Sequence, residues 1–163
     1  MPNPSIILRI DDRLVHGQVI VGWGSYFPIR EYVVVDDEIA RNEWERNLLI
    51  MAVPPHVKAQ VLTLPQGVAY IRQHLSAKGV RMVLVGSPKE IGQMDELGLP
   101  IKVVNVGGMH FREGRKQYLN YLFLSREEVR LFRRLMEKGY RFECQDVPTS
   151  SKIDLEKVLG REK

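Results

Sequence analysis

The chain has 163 residues, of which 44% are hydrophobic and 27% charged, a composition typical of one ordinary soluble domain. No apolar run approaches the roughly 18 residues that span a bilayer, and residues 1–5 have neither the basic start nor the apolar core of a secretion signal. We therefore expect a cytoplasmic protein, and its single cysteine, Cys144, favours a buried thiol over a disulfide.

The net charge of +4 does not by itself indicate nucleic-acid binding. Basic and acidic residues are mixed in segments such as 41–46, which is typical of solvated helix faces, so no nucleic-acid partner is expected. The densest basic cluster contains Arg112, Arg115 and Lys116, opposed only by Glu113. This cluster is either a charged surface loop or a contact for an acidic partner, a phosphate or the membrane surface.

Short apolar runs alternate along the chain with longer amphipathic segments, which is the pattern of repeated βα units. The pattern predicts an α/β fold with an open, mainly parallel twisted sheet of about seven strands and helices on both faces. The expected strands are Ile6–Ile10, Tyr32–Val35, Val57–Leu62, Arg81–Val85, Lys102–Val106, Tyr118–Phe123 and Arg141–Gln145. The expected helices are Gly17–Tyr26, Glu43–Met51, Gln66–Ala77, Lys89–Glu96, Arg126–Lys138 and Ile153–Leu159.

Helix-end signals support this division. Ser125 and Glu128 form a capping box, Gly139 ends the same helix, and Pro88 suits a first helical position. No linker, internal repeat or low-complexity stretch interrupts the pattern. We therefore expect a single domain over residues 1–163.

The run from Arg9 to Gln18 places one histidine in a charged turn directly after the first predicted strand. Because imidazole titrates near neutral pH, His16 offers an uncharged ring nitrogen that can attack an electrophile. Arg13 supplies a planar, charged guanidinium for phosphoryl oxygens, and Gly17 lets the backbone approach a ligand. A helix opening at Gly17 would add its free N–H groups. The turn thus predicts an anion beside a nucleophilic imidazole.

Asp11 and Asp12 would repel a phosphate and therefore need another role. At least one of them is expected to orient Arg13 or to fix the His16 tautomer by accepting the other ring N–H. The alternative interpretation is an ordinary polar strand-to-helix turn with a solvated histidine, because such turns are far commoner than reactive ones. The chemistry of these residues alone leaves both interpretations open.

Other polar loops are predicted at the same edge of the sheet, because ligands bind outside the carboxyl ends of parallel strands. Asp36 and Asp37 are candidates for the rim. Ser87 either donates a hydrogen bond to a phosphoryl oxygen or caps the helix that begins at the following proline. The pair Gly107–Gly108 either brings main-chain N–H groups to an anion or forms a tight turn.

The other histidines, His56, His74 and His110, stand at no familiar metal-ligand spacing, so no metal site is expected. His110 lies beside Met109 and Phe111 and either helps to shape the active-site rim or is an ordinary surface-loop histidine. No phosphate-loop or dinucleotide motif is present, so we expect no nucleotide or other cofactor.

Five segments resemble, in order, the blocks of one known family. They are RIDDRLVHGQ at 9–18, VVVDDEIA at 33–40, AVPPHVK at 52–58, IKVVNVGGM at 101–109 and VPT at 147–149. The chain resembles the mannose/sorbose-family IIB components of the bacterial phosphoenolpyruvate-dependent sugar phosphotransferase system (PTS). The resemblance covers nearly the whole chain and implies a single sorbose-subfamily IIB domain.

Such proteins take a phosphoryl group from a IIA phosphohistidine and pass it to a sugar bound by the membrane components IIC and IID. The resemblance implies this activity, that of a protein-N(π)-phosphohistidine–sugar phosphotransferase. It also implies a cytoplasmic protein that associates with the inner membrane through the transporter complex. The sugar stays open, because recognition in that system belongs chiefly to the membrane components.

Within the loop, the resemblance implies that His16 is the phosphorylated residue, that Arg13 lies near the phosphoryl group and that Asp11 helps to hold the loop. The remaining loop residues are assigned to phosphoryl binding or loop support, namely Asp12, Gly17 and Gln18. Segment 19–25 departs from the family, because glycines flank Trp23 where hydroxyl or basic residues are commoner. This departure leaves the partner-facing surface open.

Two other functions are compatible with the same motif. One is a regulatory phosphocarrier that takes a phosphoryl group from IIA but serves no transporter. The other is a non-catalytic module that binds a phosphorylated metabolite. The oligomeric state is equally open, because apolar helix faces serve a core or a homodimer and no heptad pattern decides between them.

Overall fold

The protein is described here by a computed structural model that covers residues 3–160, so the ends of the predicted 1–163 domain, residues 1–2 and 161–163, lie outside the described part. The strands are β1 (Ile6–Ile10), β2 (Ile29–Val35), β3 (Lys58–Leu62), β4 (Val80–Val85), β5 (Val103–Val106), β6 (Lys116–Leu119), β7 (Leu122–Leu124), β8 (Arg141–Cys144) and β9 (Ile153–Asp154). The helices are a π-helix (Val19–Trp23), α1 (Gly24–Tyr26), α2 (Asp37–Arg41), α3 (Glu43–Met51), α4 (Leu64–Gln73), α5 (Pro88–Glu96), α6 (Arg126–Glu137) and α7 (Leu155–Leu159).

A seven-stranded sheet with the order β3-β2-β4-β1-β5-β8-β9 forms the centre of the protein. Its neighbouring strands run parallel except for β8 and β9, which are antiparallel. The predicted open, mainly parallel α/β sheet is therefore confirmed. The inner strands are mostly apolar because both faces of a parallel sheet are covered, and the buried Arg9 of β1 and Asn105 of β5 are exceptions.

Helices cover both faces of the sheet, as predicted. On one face, Leu8 of β1 belongs to a core that includes Ile71 of α4 and Phe132 of α6. On the other face, the neighbouring Ile7 belongs to a second core that includes Trp23 of the π-helix. Successive side chains of a strand point to opposite faces, so β1 contributes to both cores. No helix among residues 3–160 is long and apolar enough to cross a membrane.

Two predicted elements are wrong. The segment Tyr118–Phe123 is not one strand, because Asn120 and Tyr121 form a turn between β6 and β7, an antiparallel hairpin outside the main sheet. The seventh strand of the main sheet is instead β9, which occupies the start of the predicted helix Ile153–Leu159. That helix begins only at Leu155, because the Asp154 side chain caps it by accepting the Glu156 N–H at 3.0 Å.

Other differences concern helix ends and one short helix. The helix predicted at Gln66–Ala77 spans Leu64–Gln73, and a capping box between Thr63 and Gln66 fixes its start. Helix α2 was not predicted; it begins where Asp36 accepts the Ile39 N–H. The predicted helix Gly17–Tyr26 is helical throughout, but its middle is the π-helix.

The topology places a crevice beside β1. The chain leaves β1 toward β2 on one side, whereas it leaves the adjacent strand β5 toward β8 on the other. The loops that follow β1 and β5 therefore diverge, and such a switch point is where open α/β sheets bind ligands. The residues following β1 at this point include the predicted phosphorylation motif.

Candidate functional site

The loop after β1, residues 11–16, is fixed to its neighbours by main-chain hydrogen bonds. The Asp11 N–H donates to Val85 O at 2.9 Å, and the Asp12 N–H donates to Gly108 O at 2.9 Å. Within the loop, the Leu14 N–H donates to Asp11 O at 2.9 Å, and Leu14 has a left-handed φ of 57°. The helix that follows begins at Gly17, and His16 O accepts the Ile20 N–H at 3.0 Å. These bonds place His16 at the entrance of the helix.

His16 is held by the carboxylate of Asp11. Its Nε2 lies 3.0 Å from Asp11 Oδ2, and the two side chains are 14% and 2% exposed. The other carboxylate oxygen, Oδ1, accepts the main-chain N–H of Arg13 at 3.1 Å. Asp11 therefore contacts the His16 ring, as one predicted alternative stated, and it does not bind the Arg13 guanidinium.

The surroundings of Asp11 favour its charged form. Burial raises the pKa of Asp11, but the His16 ring, the Arg9 guanidinium and the Arg13 N–H together lower it below its ordinary value. A carboxylate only accepts hydrogen bonds, so Nε2 of His16 must carry a hydrogen. In the neutral ring the lone pair then lies on Nδ1. Among residues 3–160, no group forms a hydrogen bond with this nitrogen.

Arg13 and Gln18 are exposed at the mouth of a cleft of about 240 Å³ that is also lined by Asp11 and Gly108. Arg13 Nη2 lies 3.5 Å from Gln18 Oε1, so the guanidinium stays largely available to an anion. Gly17 is exposed as well, and a Cβ there would meet no atom within 4 Å. Space alone therefore does not require glycine at this position.

Asp12 connects the loop after β1 to the loop after β5, residues 107–115. Its Oδ2 accepts the main-chain N–H of His110 at 2.7 Å, and its Oδ1 lies 2.6 Å from His110 Nδ1. Arg115 Nη1 stands 3.6 Å from Asp12 Oδ2. Asp12 therefore bonds to a histidine far along the chain rather than to Arg13 or His16. His110 lies at the rim of the cleft, which was one of its two predicted interpretations.

The members of the predicted basic cluster, Arg112, Arg115 and Lys116, have different surroundings and do not form one surface patch. Arg115 is nearly buried and makes two hydrogen bonds to the Glu128 carboxylate, at 3.0 and 2.8 Å. Lys116 lies over the ring of Tyr118 at 5.5 Å, whereas Arg112 is exposed. Arg115 therefore ties the loop after β5 to α6 rather than joining a common surface patch.

Behind Asp11 lies a buried arginine whose role the sequence analysis missed. Arg9 of β1 is 2% exposed, and its guanidinium lies 3.5 Å from Asp11 Oδ2. It donates to the Asn105 side chain, to Gln145 O at 2.7 Å and to Asp146 O at 3.0 Å.

The ring of Trp23 covers the Arg9 guanidinium at 4.7 Å. Burial lowers the pKa of Arg9, and the nearby carboxylate of Asp11 opposes this effect. A charged residue inside an otherwise apolar strand was the available sequence signal for this site.

The remaining rim candidates have structural contacts. Ser87 Oγ accepts the Lys89 N–H at 3.2 Å and is hydrogen-bonded to the Glu90 carboxylate, so it caps α5. Asp36 caps α2, and Asp37 accepts the Leu64 N–H at 2.8 Å.

The two glycines of the rim are in close contact with the site. A Cβ on Gly107 would overlap the Arg9 guanidinium, and a Cβ on Gly108 would lie 3.1 Å from Cε1 of His110. Their small size therefore makes room for side chains of the site.

Two other predictions concern metal ligands and the cysteine. Within residues 3–160, no three His, Cys, Asp or Glu side chains are grouped so as to hold a metal ion. Cys144 is buried, as expected, and burial together with Asp154 raises the pKa of its thiol to about 12. The thiol is therefore protonated at neutral pH.

Solved structures of sugar phosphotransferase components share this fold. One structure of the phosphoenolpyruvate-dependent phosphotransferase system superposes with a TM-score of 0.83 at 31% identity, covering 95% of this chain and 97% of that one. The IIBSor domain of the sorbose permease from Klebsiella pneumoniae gives a TM-score of 0.82 at 28% identity, covering 95% and 96% of the two chains. The fold is thus that of a PTS IIB component.

Sequence comparisons give the family. The family described as PTS system sorbose subfamily IIB component matches residues 5–163, and the chain belongs to it. The fructose-specific EIIB component of Bacillus subtilis (strain 168) is 30% identical over 154 residues, 94% of each protein. The mannose-specific EIIAB component of Escherichia coli (strain K12) is 31% identical over 163 residues, which cover 98% of this chain and 50% of that protein. The predicted family is therefore confirmed.

Proposed function

We propose that the protein is a phosphocarrier that accepts a phosphoryl group from a IIA component on Nδ1 of His16. It then transfers this group to a sugar during uptake through IIC and IID membrane components. The observation that carries the proposal is the Asp11–His16 pair, which occupies Nε2 and leaves the Nδ1 lone pair directed away from the carboxylate.

Phosphoryl transfer depends mainly on positioning and charge stabilisation. In the first step, the bond from phosphorus to His16 Nδ1 forms while the bond from phosphorus to the donor histidine breaks. Asp11 fixes the ring and offsets its positive charge, since its carboxylate stays 3.0 Å from Nε2. Arg13, free of any ion pair with Asp11, binds the equatorial oxygens, and the first N–H groups of the helix at Gly17 face the same charge.

The relatives support the partners of this reaction without selecting a sugar. One relative is a mannose-specific EIIAB component, of which this chain matches half, and others are components specific for fructose, sorbose and N-acetylgalactosamine. The proposal therefore includes a IIA donor protein, a sugar acceptor, and attachment to the inner membrane only through IIC and IID.

The first test follows the phosphoryl group by intact mass. The protein is incubated with phosphoenolpyruvate, the general phosphotransferase proteins and an active IIA component of this family. The wild type is expected to gain one acid-labile phosphoryl group, and His16→Ala none. The matched control is His56→Ala, which removes an exposed histidine elsewhere and is expected to gain one group.

Nuclear magnetic resonance of the phosphorylated wild type is expected to place phosphorus on Nδ1. Phosphorylation of His16→Ala at the wild-type rate contradicts the proposal. No gain by the wild type beside a verified IIA component favours the module that binds a phosphorylated metabolite. Discharge of the phosphoryl group to no sugar in the presence of working IIC and IID components favours the regulatory phosphocarrier.

A further inference from the structure

Consecutive carboxylates hold two imidazoles in the loops after β1 and β5, and they hold them by opposite nitrogens. Asp11 pairs with Nε2 of His16 at 3.0 Å, whereas Asp12 pairs with Nδ1 of His110 at 2.6 Å. The proposed function uses the first pair only. The second pair also consists of an imidazole and a carboxylate, and its histidine, His110, lines the same cleft as Asp11, Arg13 and Gln18.

His110 is held in position by hydrogen bonds of its main chain as well as of its ring. Its main-chain N–H donates to Asp12 Oδ2 at 2.7 Å, and its carbonyl accepts from Arg115 Nη1 at 2.6 Å. Arg115 is in turn held by two hydrogen bonds to Glu128. The ring lies against the main chain at Gly108, where a side chain would crowd it. Even so, 48% of the His110 side chain is exposed, so the ring is both fixed and accessible.

The contact with Asp12 also fixes the tautomer. A carboxylate accepts hydrogen bonds and donates none, so Nδ1 of His110 must carry a hydrogen. The neutral ring then has its lone pair on Nε2, which forms no hydrogen bond with any residue between 3 and 160. A carboxylate that orients an imidazole in this way prepares the other nitrogen to accept a proton.

We propose that His110 is the base of the second transfer step, an inference that rests on the proposed function. When the sugar hydroxyl attacks phosphorylated His16, the oxygen–phosphorus bond forms and the phosphorus–Nδ1 bond breaks. The electron pair of the broken bond returns to Nδ1, and the hydroxyl proton moves to Nε2 of His110. Kinases use a carboxylate for the same task, the acceptance of the proton of the attacking hydroxyl.

The two half-reactions differ in their need for this base. Transfer from a IIA histidine to His16 exchanges one nitrogen for another, so no hydroxyl proton has to be removed. Transfer to a sugar or to water releases one proton for each phosphoryl group. Loss of His110 should therefore slow the discharge of phosphorylated His16 far more than it slows its charging.

The test separates these half-reactions in the full chain. The wild type, His110→Gln and the remote control His56→Gln are phosphorylated, and the rate of charging is recorded. Each phosphoprotein is then freed of the donor proteins. Its decay is measured in buffer alone, where water is the acceptor. It is also measured with vesicles that hold mannose/sorbose-family IIC and IID components and D-fructose, D-mannose or L-sorbose.

We expect His110→Gln to discharge about 100-fold more slowly than the wild type, the lower end of the usual contribution of a positioned base. His56→Gln should match the wild type. Asp12→Asn should also slow discharge, although the imidazole of His110 is retained. An amide N–H that donates to Nδ1 favours the tautomer with its hydrogen on Nε2, which leaves no lone pair on Nε2 to accept the proton. The folds of all variants are compared by urea unfolding.

Three results overturn the inference. The first is discharge of His110→Gln at the wild-type rate to both water and sugar. The second is an equal slowing of charging and discharge, which indicates a distorted loop rather than a lost base. The third is failure of the wild type itself to become phosphorylated by a verified IIA component, which removes the proposed function and this inference together.

Discussion

Both edges of the sheet carry histidines and cations, but among residues 3–160 only the histidines at the carboxyl edge are hydrogen-bonded to carboxylates. At the amino ends of β2, β3 and β4 a cavity of about 740 Å³ is lined by His56 and His74 and by several basic side chains. There, His74 Nδ1 lies 2.7 Å from a main-chain oxygen, that of Tyr70, and the Glu31 carboxylate bonds to Tyr70 and Gln60. At the carboxyl edge, a cleft of about 240 Å³ is lined by Asp11 and His110, each of which belongs to an imidazole–carboxylate pair.

The difference shows that the candidate site in this protein is distinguished by paired imidazoles and carboxylates and not by cavity size or basic charge. A fixed tautomer presents one ring nitrogen in one direction, and such positioning favours a reaction at that nitrogen. At the carboxyl edge the Asp11 side chain is supported by the buried Arg9, because the Arg9 guanidinium connects Asp11 to β5 and to the segment after β8. The comparison between the two edges can be tested by removing this support.

The largest expected effect is that of Arg9→Met. The substitution keeps an unbranched side chain, although a shorter one, and leaves Asp11, Asn105 and two carbonyl groups without their buried donor. Removal of one partner from a buried charged network costs about 3–5 kcal/mol. Urea unfolding should therefore show a loss of this size in the free energy of unfolding, and phosphorylation of His16 should slow as well.

The matched change at the opposite edge is Arg30→Met. Arg30 is exposed and belongs to the larger cavity. Its removal should change the free energy of unfolding by less than about 0.5 kcal/mol, as surface substitutions usually do. Similar unfolding curves for both variants would show that Arg9 does not support the carboxyl edge.

A smaller effect is expected from Gly107→Ala, which tests the same support from the side of β5. The new Cβ would overlap the Arg9 guanidinium, so Arg9 has to leave its acceptors. Crowding of this kind costs about 1–3 kcal/mol in a packed interior.

The control is Gly86→Ala in the loop after β4, where a Cβ would meet no atom within 4 Å. This variant should be as stable as the wild type or more stable by up to about 1 kcal/mol, because alanine restricts the unfolded chain. Equal unfolding free energies for the two alanine variants would contradict the close packing of Gly107 on Arg9.

Much of the carboxyl edge could be predicted from local sequence. The strand at Ile6–Ile10 and the strand at Arg81–Val85 are mostly apolar, so a mainly parallel sheet and a charged turn after the first strand could be predicted, whereas the pairing of these two strands could not. Asp11 and His16 are five residues apart, and their contact was one of two alternatives that the chemistry of the turn allowed. Local spacing was sufficient for this pair.

The support of the site could not be predicted in the same way. Arg9 and its acceptor Asn105 are 96 residues apart, and His110 is 98 residues from Asp12. Only the order of the strands in the sheet brings these residues together. The periodicity of apolar residues does not indicate which polar side chains meet across neighbouring strands. The hairpin β6–β7 was predicted as one strand because its two-residue turn contains Tyr121, an aromatic residue typical of strands, between Tyr118 and Phe123.

The smallest effect is expected from Ser87→Ala, which tests whether every polar side chain at the carboxyl edge belongs to the site. Ser87 Oγ accepts the Lys89 N–H, and its hydrogen bond to Glu90 engages the hydroxyl within the first turn of α5. Loss of an N-cap costs about 1 kcal/mol, so the free energy of unfolding should fall by this amount while His16 is phosphorylated at the wild-type rate. Ser87→Thr should restore most of the stability, because a threonine hydroxyl can also accept the Lys89 N–H and donate to Glu90. Slower phosphorylation of Ser87→Ala at unchanged stability would instead make Ser87 a phosphoryl ligand, and the site would then extend from β1 to β4.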